Sequence, residues 1–157
     1  MGICSDPSRV PVTASDEPVD REPAERDLGR LLASIDPQLQ PGTFVFCEIE
    51  HDGRSPELAV RMEFREHEAT TLVVSADEAR MHGLVGEFRC EWVVIGARSD
   101  LSAVGFLAEI TARLATAGIS ANVVSAVHHD HLFVPVGLGE RAVAVLLELQ
   151  RRHRPPG

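Results

Sequence analysis

Apolar positions change their period several times along this chain, and each change marks an element. Leu28, Leu31, Leu32 and Ile35 recur at i, i+3, i+4 and i+7, one face of a helix, with Glu25 and Asp27 near its positive end and Pro37 to stop it. After the Pro41-Gly42 turn, Thr43 to Glu50 is β-branched and aromatic, while Val60, Met62 and Phe64 alternate with charged residues. Both predict strands, the second with one wet face. Thr71 to Ser75 predicts a third strand, and Ser75-Ala76-Asp77-Glu78 has the capping-box spacing that opens a short helix, which Gly83 ends. Phe88, Cys90, Trp92 and Val94 share one strand face, while Val93 and Ile95 make the far half apolar on both faces, as in a central strand.

In the second half, Ser99 or Asp100 is the expected N-cap of a helix that buries Leu101, Val104, Leu107, Ile110 and Leu114 and ends at Gly118. Gly105 then falls inside that helix, at a cost of about 1 kcal/mol relative to Ala, so helix packing or the approach of a ligand has to account for it. Ala121 to Val127, a turn through His128 to Asp130, and His131 to Val136 predict a hairpin. A last helix buries Val143, Leu146 and Leu147 and carries Arg151, Arg152 and His153 at its negative end. The order β, α, β, β, α lacks one strand of a ferredoxin-like unit, and we expect a strand of the first half, with Thr43 to Glu50 the candidate, to supply it. The fold class is therefore α+β: antiparallel sheet with helices on one face, in two interleaved βαββαβ units at residues 26–86 and 87–153. Residues 1–25, rich in Pro, Asp, Glu and Ser, read as a flexible arm.

Composition narrows the function. The 15 cations, all Arg, stand against 24 acidic residues for a net charge of −9 in 157 residues, a poor match for nucleic acid or anionic membrane. Without Lys there is no Schiff-base chemistry and no P-loop lysine. Cys4, Cys47 and Cys90 are odd in number and widely spaced, which fits no disulfide framework or zinc ribbon, and no run of apolar residues suits a membrane span. The expectation is a soluble cytoplasmic protein with reduced thiols.

Candidate chemistry concentrates in His128-His129-Asp130-His131. Imidazoles with a carboxylate suit zinc, nickel or copper, and a metal-binding protein or metal-dependent enzyme built on this hairpin is the alternative reading. Consecutive hairpin residues point apart, however, so a structural turn with Asp130 bonded to local backbone is favoured, with His129 or His131 contacting a ligand or sensing pH near an interface. His67-Glu68 resembles the start of the zinc-protease motif, but Thr71 stands where the second imidazole belongs. Cys47 and Cys90 lack a neighbouring base and read as buried, inert thiols, and Trp92 reads as core.

The segment RSDLSAVGFLAEITARLATAGISANVVSAVHHDHLFVPV resembles the helix, Gly-Ile-Ser, strand and His-Asp-His-Leu-Phe-Val-Pro hairpin of small bacterial tandem ACT-domain proteins. Upstream, LLASIDPQLQPGTFVFCEI and FREHEATTLVVS are similar to that family's N-terminal half, so the resemblance spans roughly residues 28–150. The Pro-Gly that opens the helix in many ACT domains is Ser99-Asp100 here. The resemblance implies two ACT-type units forming a non-catalytic regulatory module that binds a small molecule, an amino acid first among them. No cofactor is expected, and a homodimer is, because the edge strands of such a sandwich are liabilities unless paired. Carried over by position, it implies ligand contacts from Ser99, Asp100, Leu101, Val104 and Gly105, with Asn122 bonding a bound amino acid. His129 and His131 join that candidate set as hairpin residues near an interface.

Overall fold

The computed structural model describes residues 24–51, 53 and 57–155, so the expected N-terminal arm lies outside them except for Ala24 and Glu25. Helix α1 (Leu28–Ala33) starts where the Asp27 carboxylate accepts from the Arg30 amide at 2.8 Å. Pro37 does not merely stop this helix. It opens a three-residue strand, β1 (Pro37–Leu39), as the first residue of a strand can.

Strands β2 (Phe44–Ile49), β3 (Val60–Arg65) and β4 (Thr70–Ser75) follow, then helix α2 (Ala76–Met81) and the ten-residue strand β5 (Gly86–Ile95). The Ser75 hydroxyl caps α2 by accepting from the Glu78 amide at 3.1 Å, while the Glu78 carboxylate turns to the Ala59 amide rather than back to Ser75. Helix α3 (Phe106–Thr116), the hairpin of β6 (Asn122–Ser125) and β7 (Asp130–Pro135), and helix α4 (Gly139–His153) complete the chain.

All strands join one antiparallel sheet in the order β3-β4-β2-β5-β7-β6. Strand β5 is its axis. It is the last strand of a first unit (β2, β3, β4, α2, β5) and the first strand of a second unit (β5, α3, β6, β7, α4). The strand that closes the second unit differs from expectation. Thr43 to Glu50, as β2, pairs with Gly86–Cys90, but the Val93–Ile95 half that lies beside β7 is paired by β1. The units are thus interleaved through α1 and β1.

All four helices lie on one face. Beneath α1, α3 and α4, Leu31, Leu32, Ile35, Val93, Ile95, Ile110, Leu114, Leu132 and Leu146 form the main core, each no more than 2% exposed. Val45, Cys47, Leu72 and Val74 form a smaller core under α2. Among the described residues the opposite face bears no helix and is packed by aromatic side chains: Phe44, Phe46, Phe88, Trp92 and Phe133. Edge-to-face pairs join Phe44 to Trp92 and Phe46 to Phe133, each with centroids 5.4 Å apart. The sheet curls around this cluster, so that Met62 of edge strand β3 and Val124 of edge strand β6 both pack on it.

Two boundaries in the second unit correct the sequence reading. Helix α3 begins at Phe106, not at Ser99 or Asp100, because Gly105 is its N-cap with φ +91°. That left-handed conformation, open to glycine and strained for other residues, breaks the path of the chain, so Gly105 precedes the helix rather than weakening its interior. Leu101 and Val104, expected in the core, are 65% and 86% exposed. Asp130, expected in the turn, is the first residue of β7, paired with Ile95 and Ser125. In α4, Leu146 is buried as expected whereas Leu147 is partly exposed.

Candidate functional site

The chain from Arg98 to Gly105 forms a loop between the end of β5 and the start of α3. A parallel bridge between Glu25 and Ser99 holds it, with Glu25 donating its amide to the Arg98 carbonyl and accepting from the Asp100 amide at 3.0 Å. The Asp100 carboxylate accepts from the amide and hydroxyl of Ser102 and from Arg26 at 3.0 Å. The Ser102 bonds, with the Arg26 guanidinium, hold its carboxyl down at about 2. Asp100 therefore organises its own turn, leaving the recognition of a cation to other groups.

Between this loop and the hairpin lies a pocket of about 120 Å³. One wall is the start of α3. It has no side-chain cap, and the first backbone bond back to it runs from the Glu109 amide to the Gly105 carbonyl at 3.0 Å. The amides of Phe106, Leu107 and Ala108 thus form a cluster of donors at the positive end of a helix, suited to a carboxylate. The other wall is Asp130, 2% exposed. Its two carboxylate oxygens accept from the Ser99 hydroxyl at 2.9 Å and from the Ser125 hydroxyl at 2.6 Å. Among the described residues no Arg or His pairs with it. A carboxylate has about four acceptor sites, so two serines leave it able to bind a cation.

Of the residues singled out from the sequence, Ser99, Asp100, Leu101 and Gly105 line this pocket and Val104 turns to solvent. Asn122 does not reach it. Side chains alternate along a strand, and Asn122 pairs with Phe133 on the helix-free face, whereas Ser125 pairs with Asp130 on the helix-bearing face. The same alternation splits the histidine cluster. Asp130 points toward α3, and His131 lies on the aromatic face, where its Nδ1 accepts from Trp92 Nε1 at 3.2 Å. His129 keeps a buried Nδ1 without a partner, and His128 is exposed. Among the described residues, no three His, Cys, Asp or Glu side chains group as a metal site. Burial pushes the Cys90 thiol up to about 11 and raises Cys47, away from nucleophilic thiolate.

Sequence reasoning had Asp130 in view only as a turn residue or metal ligand and missed Ser125. The available signal was parity: once Asp130 is counted into the strand, Leu132 and Val134 share its face, and that face is the core.

A small polar pocket at the mouth of a ferredoxin-like unit, fused to a second unit through a common strand, defines a class of paired regulatory folds. Residues 23–91 and residues 88–148 each match the ACT domain. The chain belongs to the ACT-domain family, whose members are typically small-molecule-binding regulatory modules. None of the curated proteins matches the chain. Among solved structures, it is similar to a Vibrio cholerae protein of unknown function (34% identity, TM-score 0.70, 78% of this chain and 95% of that one). It is also similar to an Agrobacterium tumefaciens protein (18%, 0.58, 74% and 89%) and to the regulatory subunit of aspartate kinase from Thermus thermophilus in its ligand-free form (14%, 0.56, 74% and 98%). The last two likenesses concern the fold alone. No helix among the described residues is long and apolar enough to cross a membrane.

Proposed function

We propose that the protein is a non-catalytic sensor that binds a free amino acid in the pocket at the start of α3. The ligand carboxylate lies on the amides of Phe106 to Ala108 and its ammonium on Asp130. The observation that carries this reading is Asp130 itself. A carboxylate this deeply buried is expensive to keep without a cation, and here it is steered by two serines into a pocket whose opposite wall binds anions. Donors and acceptor face one another across a space of about 120 Å³, which favours amino acids with small side chains. The family relation supports the same class of ligand. Occupancy would be felt by the loop 98–105 and, through Glu25 and Arg26, by the chain that precedes α1, which is how binding could bias an assembled state. We read that state as a homodimer, because among the described residues β3 and β6 leave the sheet with open edges.

The test is a thermal-shift panel of the twenty amino acids. Ligand at 100 times its dissociation constant adds about 2.7 kcal/mol, several degrees for a chain of this size. Asp130→Asn should keep a cooperative melt and lose the shift, while Asn122→Ala should retain it. A shift that survives Asp130→Asn, or no shift with any amino acid, would overturn the reading.

A further inference from the structure

The aromatic face holds a second, larger cavity of about 300 Å³, at the lower end of the range for small-molecule sites. It forms where the curled sheet brings its two edges together, with Val60, Arg61 and Met62 of β3 on one side, Val124 on the other, and Trp92 and Phe133 as the floor. A β-bulge puts Arg61 there. Val60 pairs with Val74 and Met62 with Val73, two neighbours on β4, so Arg61 is the extra residue. The bulge reverses the parity of β3: Val60 packs with the core under α2 and Met62 with the aromatic cluster. The Arg61 guanidinium sits 5.9 Å from the centroid of the Trp92 ring, within cation–π range.

Three further features give this cavity a chemical preference. Among the described residues no Asp or Glu lines it, although acidic residues outnumber basic ones 24 to 15 in the chain. Arg61 forms no ion pair among the described residues. His131, also in the lining, spends its Nδ1 on the Trp92 indole, which places the proton of the neutral ring on Nε2 and makes that atom a donor. Burial, and secondarily the neighbouring His129, lower the His131 pKa against the pull of Asp130, which favours the neutral ring.

We propose that this cavity is a second binding site, on the opposite face from the amino-acid pocket, for a flat anionic molecule of the aromatic carboxylate class. The ring stacks on Trp92 between Met62 and Val124, and the carboxylate is held by Arg61 with His131 Nε2 as a further donor. The proposal does not depend on the Asp130 reading, since the two sites share no residue.

Trp92 is the only tryptophan and the chain has no tyrosine, so emission excited at the red edge reports this cavity alone. Titration with benzoate and phenylacetate, checked by calorimetry, should give a saturable change in Trp92 emission. Benzamide and cyclohexanecarboxylate should bind at least tenfold more weakly. Arg61→Gln, at an exposed position, should melt like the parent chain and lose at least tenfold in affinity for benzoate, while Asp130→Asn leaves it unchanged. Saturable binding that Arg61→Gln does not weaken would overturn the proposal, as would purely linear quenching. So would a Trp92 that iodide reaches only on dilution, because a second copy then covers the face.

Discussion

The two faces of the sheet bury their apolar residues by different means. On the helix-bearing face, aliphatic side chains from α1, α3 and α4 close over Val93, Ile95, Leu132 and Val134, and the pocket between the loop 98–105 and the hairpin is small and polar. On the other face the aromatic rings cover one another, and the space left at the curled edges is larger, apolar and armed with an arginine. A helix layer excludes water by adding a second wall. A curled sheet does so by bending until its own edges become the wall, and the gap between edges stays accessible. The small pocket and the wider aromatic gap therefore offer a ligand different surfaces.

The largest test of this contrast is in stability. Leu146→Ala, at a fully buried position under the helices, should cost about 2–5 kcal/mol in urea unfolding. Met62→Ala, half-buried at the rim of the open face, should cost under about 1.5 kcal/mol. Equal costs would mean that the open face is as tightly packed as the covered one. A finer contrast lies along the covered face. A Cβ on Gly86 would stand 2.0 Å from Val45 Cγ2, so Gly86→Ala should cost about 2–3 kcal/mol by overpacking. Beside the pocket at the start of α3, a Cβ on Gly105 meets only Leu28 among the described residues, at 3.4 Å. Gly105→Ala should then cost about 1–2 kcal/mol from its φ alone, and a cost above that of Gly86→Ala would show the pocket loop to be the stiffer region.

The smallest expected effect is in pH dependence. Burial lowers the folded pKa of His131, with His129, Asp130 and Arg61 as its charged or titratable neighbours. The unfolded imidazole takes its proton near pH 6.5, so the unfolded state binds more protons there. Stability should be intact above that pH and fall as the pH drops toward the folded value. His131→Gln should flatten the decline in urea midpoint between pH 7.5 and 5.5. Asp100, held at about 2, contributes above its ordinary range and loses that contribution only as the pH falls through about 2, so it leaves this window untouched.

Most elements were legible because their periods are clean: the β5 residues Val93 and Ile95, the α3 stripe of Leu107, Ile110 and Leu114, and the Ser75 cap. What escaped was whatever depends on a partner far away in the chain. Pro37–Leu39 is too short to show a period and becomes a strand only because β5 offers an unpaired half. Gly105 looks like a weak helix residue until its φ is known. The parity change at Arg61 is invisible in an alternating run, and it decides which face an arginine serves. The pocket was half legible for the same reason: Ser99, Asp100, Leu101 and Gly105 of its lining were named through the family resemblance, whereas the places of Asp130 and Ser125 needed the exact start of a strand.

The shared strand also sets an order in time. Leu31, Leu32 and Leu39 are synthesised well before Val93, Ile110 and Leu146, on which they or their elements pack. At about 5–20 residues per second, these early apolar side chains wait for seconds with nothing to cover them. The smaller core under α2 draws only on early residues, Val45 to Ala79, whereas the main core needs both ends of the chain. The main core therefore closes last, when α4 arrives to pack on α1.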